Sequence, residues 1–231
     1  MGTINNSSVA IKEKEATNQK RDVKVKGGLL YRFTKRFFDI LLSSIFLLAF
    51  GWIILILLFI KFCEDGHNPI YTSKRVGKGG KIFKFHKIRS MKPNAEKLKK
   101  QLIKDGLNEA DGPVFKMKDD PRITKFGKFL RKTSLDELPQ IWDVFLGRMS
   151  IVGPRPPLPE EVRKYSDYQM HRLDVKGGLI CTWQITPHRH DLSFDEWVEL
   201  DIKYIESRSL WKDIGIIFKA FIFVLTDRTG E

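Results

Sequence analysis

The chain has 231 residues, with 41 Lys and Arg against 28 Asp and Glu, a formal charge of +13, and 42% hydrophobic residues. That is enough apolar content for a real core, and the charge calls for an anionic partner: nucleic acid, an acidic membrane surface or phosphorylated small molecules. Two cysteines, Cys63 and Cys181, exclude a disulfide framework and a Cys-based metal centre, which fits a reducing, cytoplasmic setting.

Residues 1–28 are rich in Lys, Asn, Ser, Glu and Thr and nearly free of large apolar side chains, so they are expected to form a disordered basic arm. Its Lys20, Arg21, Lys24 and Lys26 suit either anionic lipid headgroups or plain solvation. "YRFTKRFFD" mixes aromatic and basic residues as membrane interfaces do, and Ile40 to Ile60, "ILLSSIFLLAFGWIILILLFI", carries no charge. At helical rise that run matches the thickness of a hydrocarbon core, making 29–62 a membrane-embedded helix. It begins too far along the chain, and is followed by "KFCEDG" rather than small residues, to be a cleaved signal. Lys35 and Arg36 precede the run while Lys61, Lys74, Arg75, Lys78 and Lys81 follow it, so both ends favour the cytoplasmic side. A re-entrant helix satisfies both, and Gly51-Trp52 is the place for its break. Asp39 either takes an orienting role or sits at headgroup depth.

The remainder, 63–231, reads as one cytoplasmic domain of α/β class, mostly helical with short strands. "NPIYTSKRVG" and "KGGKIFKFHKIRSM" are strand-like; "NAEKLKKQLIKDG" is a polar helix closed by Gly106. "DPRITKFGKFLRKTSLDELPQIWDVFLG" holds two helical pieces, the second from Ser134 to about Gly147. "MSIVGPRPPLP" is a rigid loop, and "PEEVRKYSDYQMHRLDV" another helix. In "SLWKDIGIIFKAFIFVLTDR", Trp211, Ile214, Phe218, Phe221, Ile222 and Leu225 recur at helical spacing, as on a helix lying on a membrane or packed on the protein's own core.

The sharpest chemical signal is "RKTSLDELPQ", in which Asp136 and Glu137 stand together within a basic chain. Ser134 and Glu137 have the spacing of a capping box, which would start a helix and need do nothing more. Arg and Lys in "KIRSM", "FLRKTS" and "VGPRP" give the pair a second meaning. Guanidinium groups grip phosphate oxygens while a carboxylate attacks phosphorus or holds a metal. Neither the aromatic-basic platform of single-strand binders nor a DNA-reading motif is present, so no nucleic-acid partner is expected.

In chain order, "KRFFD", "RVGKGGKIFKFHKIRSM", "DDPRITKFGKFLRKTSLDELPQIWDVFLGRMSIVGPRP", "WQI" and "LDIKYIESRSLWKDIGII" resemble the bacterial sugar transferases, the monotopic phosphoglycosyl transferases. The resemblance runs from about Lys35 to Leu225 and looks like a minimal form, without the additional helices of larger members. It implies transfer of a sugar 1-phosphate from a UDP-sugar to a polyprenol phosphate such as undecaprenyl phosphate, at the cytoplasmic face of the bacterial inner membrane. Asp136 would attack the sugar-proximal phosphate and expel UMP. Glu137 would hold Mg2+ with Asp136, and Arg131 and Arg155 would face the phosphates. Lys87 and Arg89 are phosphate-binding candidates or solvated strand residues, and Asp201 supports the metal or nucleotide or makes a structural hydrogen bond. A homodimer is compatible with this reading.

His188 and His190, two apart in a loop with no further ligands, make a poor metal pair. Two departures from the family pattern stand out. Gly51-Trp52 replaces a Ser-Pro pair, and "KGGLICTWQI" departs from "KPGITGLWQV" at Gly177, Ile180 and Cys181, a difference that bears on donor preference if this loop touches the donor. Competing readings are an inactive, basic membrane-anchored binding protein and a glycosyltransferase that releases UDP.

Overall fold

The computed structural model describes residues 22–107, 115, 117, 119–187, 189 and 191–226. Its elements run in order α1 (Leu29–Asp65), β1 (Ile70–Val76), β2 (Ile82–Ile88), α2 (Ala95–Lys104), α3 (Lys125–Lys132), a 3-10 turn (Leu135–Glu137), α4 (Gln140–Phe145), β3 (Ser150–Val152), α5 (Pro159–Val162), α6 (Asp167–Met170), β4 (Gly178–Ile180), α7 (Phe194–Ser207) and α8 (Leu210–Thr226). The fold is mostly helical with short strands. β1 and β2 form an antiparallel hairpin with Ile70 opposite Ile88, and β3 pairs in parallel with β4. At Gly178 a Cβ would fall 2.1 Å from the Gly153 nitrogen, so this close pairing of two short strands needs glycine.

α1 is 37 residues long and is the one described helix long and apolar enough to cross a membrane. Its backbone is helical through Gly51-Trp52, where the sequence suggested a break. Both ends are fastened to the same domain. Near the start, Arg36 donates to the carbonyls of Val144 and Phe145 (both 2.7 Å), and Asp39 accepts from the Ile151 amide (2.9 Å) and the Ser150 hydroxyl (3.1 Å). Near the close, Leu57 packs with Ile88 and Leu130, and the fully buried Lys61 pairs with Glu64 and Asp65. The middle projects free, Leu48 being 88% exposed, and a Cβ on Gly51 would meet nothing beyond its own helix within 4 Å.

The largest core joins α7, α8 and β3 through Val152, Val198, Ile202, Ile205 and Ile216. Val23 is buried in it, and the Lys26 amide donates to the Ile205 carbonyl at 3.1 Å. Within the stretch expected to be a disordered arm, Val23 and the Lys26 backbone are thus held by the domain, while Asp22, Lys24, Val25 and Gly28 are exposed. Residues 1–21, with Lys20 and Arg21, lie outside the described residues.

Three element boundaries also differ. The helix expected across 159–175 is two four-residue turns and a 3-10 turn, because Ser166 and Gln169 form a capping box that restarts the chain. The start of the "MSIVGPRPPLP" loop is β3. α7 was not anticipated, although "SFDE" holds its signal. Ser193 accepts from the Glu196 amide (3.3 Å) and its own amide donates to the Glu196 carboxylate (2.8 Å). α8 exposes Trp211, Ile214, Phe218, Phe221 and Ile222 along one side, as the spacing predicts, while the side chain of Leu225 lies outside the described residues.

Candidate active site

The dyad stands on the 3-10 turn Leu135–Glu137, not in the first turn of an α-helix. Ser134 does not cap it. Its φ of 55° puts it in the left-handed region, alone among described non-glycine residues, and its side chain makes no cap hydrogen bond. Its carbonyl instead accepts from the Glu137 amide at 3.2 Å. The left-handed residue and Pro139, which lacks an amide hydrogen, together break the single helix expected over 134–147 into this turn and α4. Leu135 and Leu138 pack against the cluster of Leu57, Ile88 and Leu130. The three-residue spacing of the leucines in "LDEL" thus anchors the turn, partly on α1, and leaves both carboxylates to the site.

The hairpin supplies the first cation. Lys87, from β2, places its ammonium 3.3 Å from Asp136 Oδ2 and 2.6 Å from Glu137 Oε1. Arg155, from the loop after β3, reaches the same Glu137 oxygen at 3.3 Å. Burial pushes the Glu137 pKa up, but Lys87 and then Arg155 outweigh it and bring the pKa down to about 2. Burial likewise opposes the charge on Arg155, and Glu137 more than offsets that, so its pKa is raised. Asp136 is buried, yet its Oδ1 and the Glu137 Oε2 accept no hydrogen bond from a described residue.

Arg131, at the end of α3, donates to Ser90 Oγ at 3.0 Å and lies within the field of Asp136; burial pulls its pKa down. Thr124 caps α3 by accepting from the Gly127 amide at 3.0 Å. Gly127 is required there, because a Cβ would come within 1.9 Å of the Ser90 carbonyl oxygen. The sequence motif missed Arg75 on β1. Its guanidinium donates to the Pro156 carbonyl at 3.0 Å, lies over the Phe85 ring and leaves Nε buried without a partner. Its pKa falls to about 10 through burial and the nearby Arg155. Only "KRVG", a basic pair in a strand-like stretch, could have flagged it.

Two candidates are not brought to the dyad. Arg89 instead holds Asp65 at 2.7 and 2.5 Å and the Asn68 carbonyl at 2.8 Å, at the end of α1. Asp201 is buried against Arg172 at 2.9 and 2.8 Å, with Oδ1 left without a partner; burial raises its pKa to about 6, less a contribution from Arg172. It meets the site at one remove, since Arg172 donates to the Arg155 carbonyl at 3.4 Å. His188 and His190 lie outside the described residues. No group of three or more His, Cys, Asp or Glu suited to a metal occurs among the described residues. The dyad's two unused oxygens remain a hard donor set of the kind Mg2+ takes with substrate phosphates.

The family model for bacterial sugar transferases matches residues 30–227. The chain belongs to that family. It is 47% identical over 191 residues to a sugar transferase relative named galactosyl transferase CpsE from Streptococcus agalactiae serotype III, covering 83% of this chain and 42% of the relative. Over 196 residues it is 43% identical to an undecaprenyl-phosphate galactose phosphotransferase from Salmonella typhimurium, covering 84% and 41%. A UDP-galactose-lipid carrier transferase from Erwinia amylovora is 42% identical over 198 residues, covering 84% and 41%. The chain spans about two fifths of the length of these relatives.

Proposed function

We propose that this protein transfers a sugar 1-phosphate from a UDP-sugar to undecaprenyl phosphate, with Asp136 as the nucleophile. The observation that carries the reading is a buried carboxylate with one unused oxygen, held 3.3 Å from Lys87 and beside a Glu137 that two cations keep ionised. A carboxylate approaches a diphosphate only where cations offset the repulsion, and Lys87, Arg131 and Arg155 serve that purpose.

In the first step an Asp136 oxygen forms a bond to the sugar-proximal phosphorus. The bond from that phosphorus to the bridging oxygen breaks, and UMP leaves with the electron pair. A phosphate oxygen of undecaprenyl phosphate then attacks the same phosphorus, Asp136 departs as a carboxylate, and undecaprenyl diphospho-sugar results. The unused oxygens of Asp136 and Glu137 would hold Mg2+ together with donor phosphates, where it supplies further neutralisation of phosphate charge. Three relatives carry galactose in their names, so UDP-galactose is the first donor to try.

In this reading α1 enters the inner membrane from the cytoplasmic side and returns by bending within a backbone that stays helical at Gly51-Trp52, rather than by a break there. Two observations support it: both ends of α1 are tied to one domain while its middle projects free, and basic residues flank both ends. α8 lies on the same surface, with Trp211 and Phe218 toward lipid.

The test is nucleotide release in lipid nanodiscs containing undecaprenyl phosphate, Mg2+ and UDP-galactose. UMP from wild type and none from Asp136→Asn supports the reaction. UDP in place of UMP would contradict it and favour simple glycosyl transfer.

A further inference from the structure

A second basic concavity lies beside the first turns of α1, and it shares no lining residue with the dyad. Its volume is about 180 Å³, and Arg32, Lys35, Arg36, Lys78, Lys176 and Arg208 line it against a single carboxylate, Asp39. That carboxylate is already used by the Ser150 hydroxyl and the Ile151 amide. Lys35 is neutralised by Asp213 at 2.8 Å. Arg36 and Arg208 donate to backbone carbonyls, which orient the guanidinium groups without cancelling their charge. The side chains of Arg32, Lys78 and Lys176 make no hydrogen bond or ion pair with a described residue.

Gathering like charges around a cavity is unfavourable unless an anion joins them. The strain registers at Lys176, whose pKa is lowered by partial burial and then by the facing Arg36 and, more weakly, Lys78, with Asp39 acting in the opposite sense. Several lysines and arginines converging from different elements suit the oxygens of a phosphate. The cavity's place along α1 selects the source. It opens beside residues 31–39, just ahead of the uncharged run from Ile40, which is headgroup depth for an embedded helix. Phe33 and Phe37, 74% and 56% exposed on the same turns, would stand among acyl chains.

We propose that this cavity binds the phosphate of an anionic membrane lipid and fixes the basic end of α1 at the headgroups. The proposal rests on α1 being embedded in a membrane, and not on the sugar-phosphate reaction. Its test uses the full chain without sugar donor, so the two readings fail separately. The protein is placed in phosphatidylcholine nanodiscs doped with phosphatidylglycerol, and phosphatidylglycerol retained per protomer is counted by native mass spectrometry. The double change Lys78→Glu/Lys176→Glu is compared with Lys99→Glu/Lys100→Glu on α2, which alters net charge equally. The expected result is a loss of retention of about tenfold in the cavity variant and little change in the control. Lys78→Gln/Lys176→Gln, which removes charge without reversing it, should give an intermediate loss and guards against a folding defect. Equal retention in cavity and control variants, or none by wild type, would overturn the proposal. A parallel titration of the detergent-solubilised protein with inorganic phosphate separates the sources. Weak binding supports the lipid, whereas tight binding abolished by the same variants would make free phosphate the ligand and overturn the lipid assignment.

Discussion

Lys87 and Arg89 lie two residues apart at the end of one hairpin and meet opposite circumstances. Arg89 closes on Asp65, which also takes Lys61 at 3.0 Å, and the guanidinium is further tied to the Asn68 and Met91 carbonyls. Lys87 meets two carboxylates that each keep an oxygen unused. The first cluster is closed and its stabilising role is complete within the chain. The second is charged, largely buried and incompletely bonded, which is the state in which a side chain has chemistry left to offer a ligand.

The largest effects should separate the two clusters. Asp136→Asn, close to isosteric, should cut UMP release by about 10⁴-fold or more while leaving thermal stability within ~1 kcal/mol. Asp65→Asn should do the reverse, losing about 2–4 kcal/mol in denaturation because the buried Arg89 is left without a counter-charge while Lys61 keeps only Glu64, with activity per folded molecule retained. Activity loss in Asp65→Asn beyond its folded fraction would break the contrast.

Next come the cations. Arg155→Ala should lower turnover by about 10²- to 10³-fold, the range for removing a transition-state donor. Lys87→Ala sharpens the electrostatic account through pH. The Glu137 pKa lies below its unfolded value, so its contribution is complete above about pH 4.3 and is lost only as pH falls toward its folded value. Without Lys87 that pKa must rise, so the acid limb of the rate profile should move up, whereas an unchanged limb would mean that Glu137 is not the group sensed.

The smallest predicted change concerns the turn itself. Because Ser134 is left-handed and caps nothing, Ser134→Gly should be neutral or stabilising by up to about 1 kcal/mol, while Ser134→Val should destabilise, both read from denaturation midpoints. A cap would have given the opposite result for glycine only by a few tenths, so the valine variant decides the matter.

Much of this was legible in local pattern. The uncharged run gave α1, alternation and turn residues gave the hairpin, and "SLDEL" with its neighbouring basic motifs pointed to the dyad, Arg131, Arg155 and Lys87. What was not legible depends on distant partners. Nothing near Arg89 says that Asp65 waits at the end of α1, and nothing near Asp201 says that Arg172 will claim it. Ser134 misled for a different reason: capping-box spacing holds only if the serine keeps extended dihedrals, and the packing of Leu135 and Leu138 draws the turn elsewhere. Arg75 was hidden because a basic residue in a short strand ordinarily faces solvent, and here Phe85 and the Pro-rich loop cover it.

The central claim is that Asp136 carries the phosphosugar between the two steps. Its most direct test is to incubate the nanodisc-embedded protein with UDP-galactose and Mg2+ but no acceptor, quench, and map any adduct by peptide mass spectrometry. The account predicts a phosphohexose on the peptide containing Asp136, absent from Asp136→Asn and discharged when undecaprenyl phosphate is added. An adduct on another residue, or full product formation through a wild-type enzyme that never carries one, would contradict it.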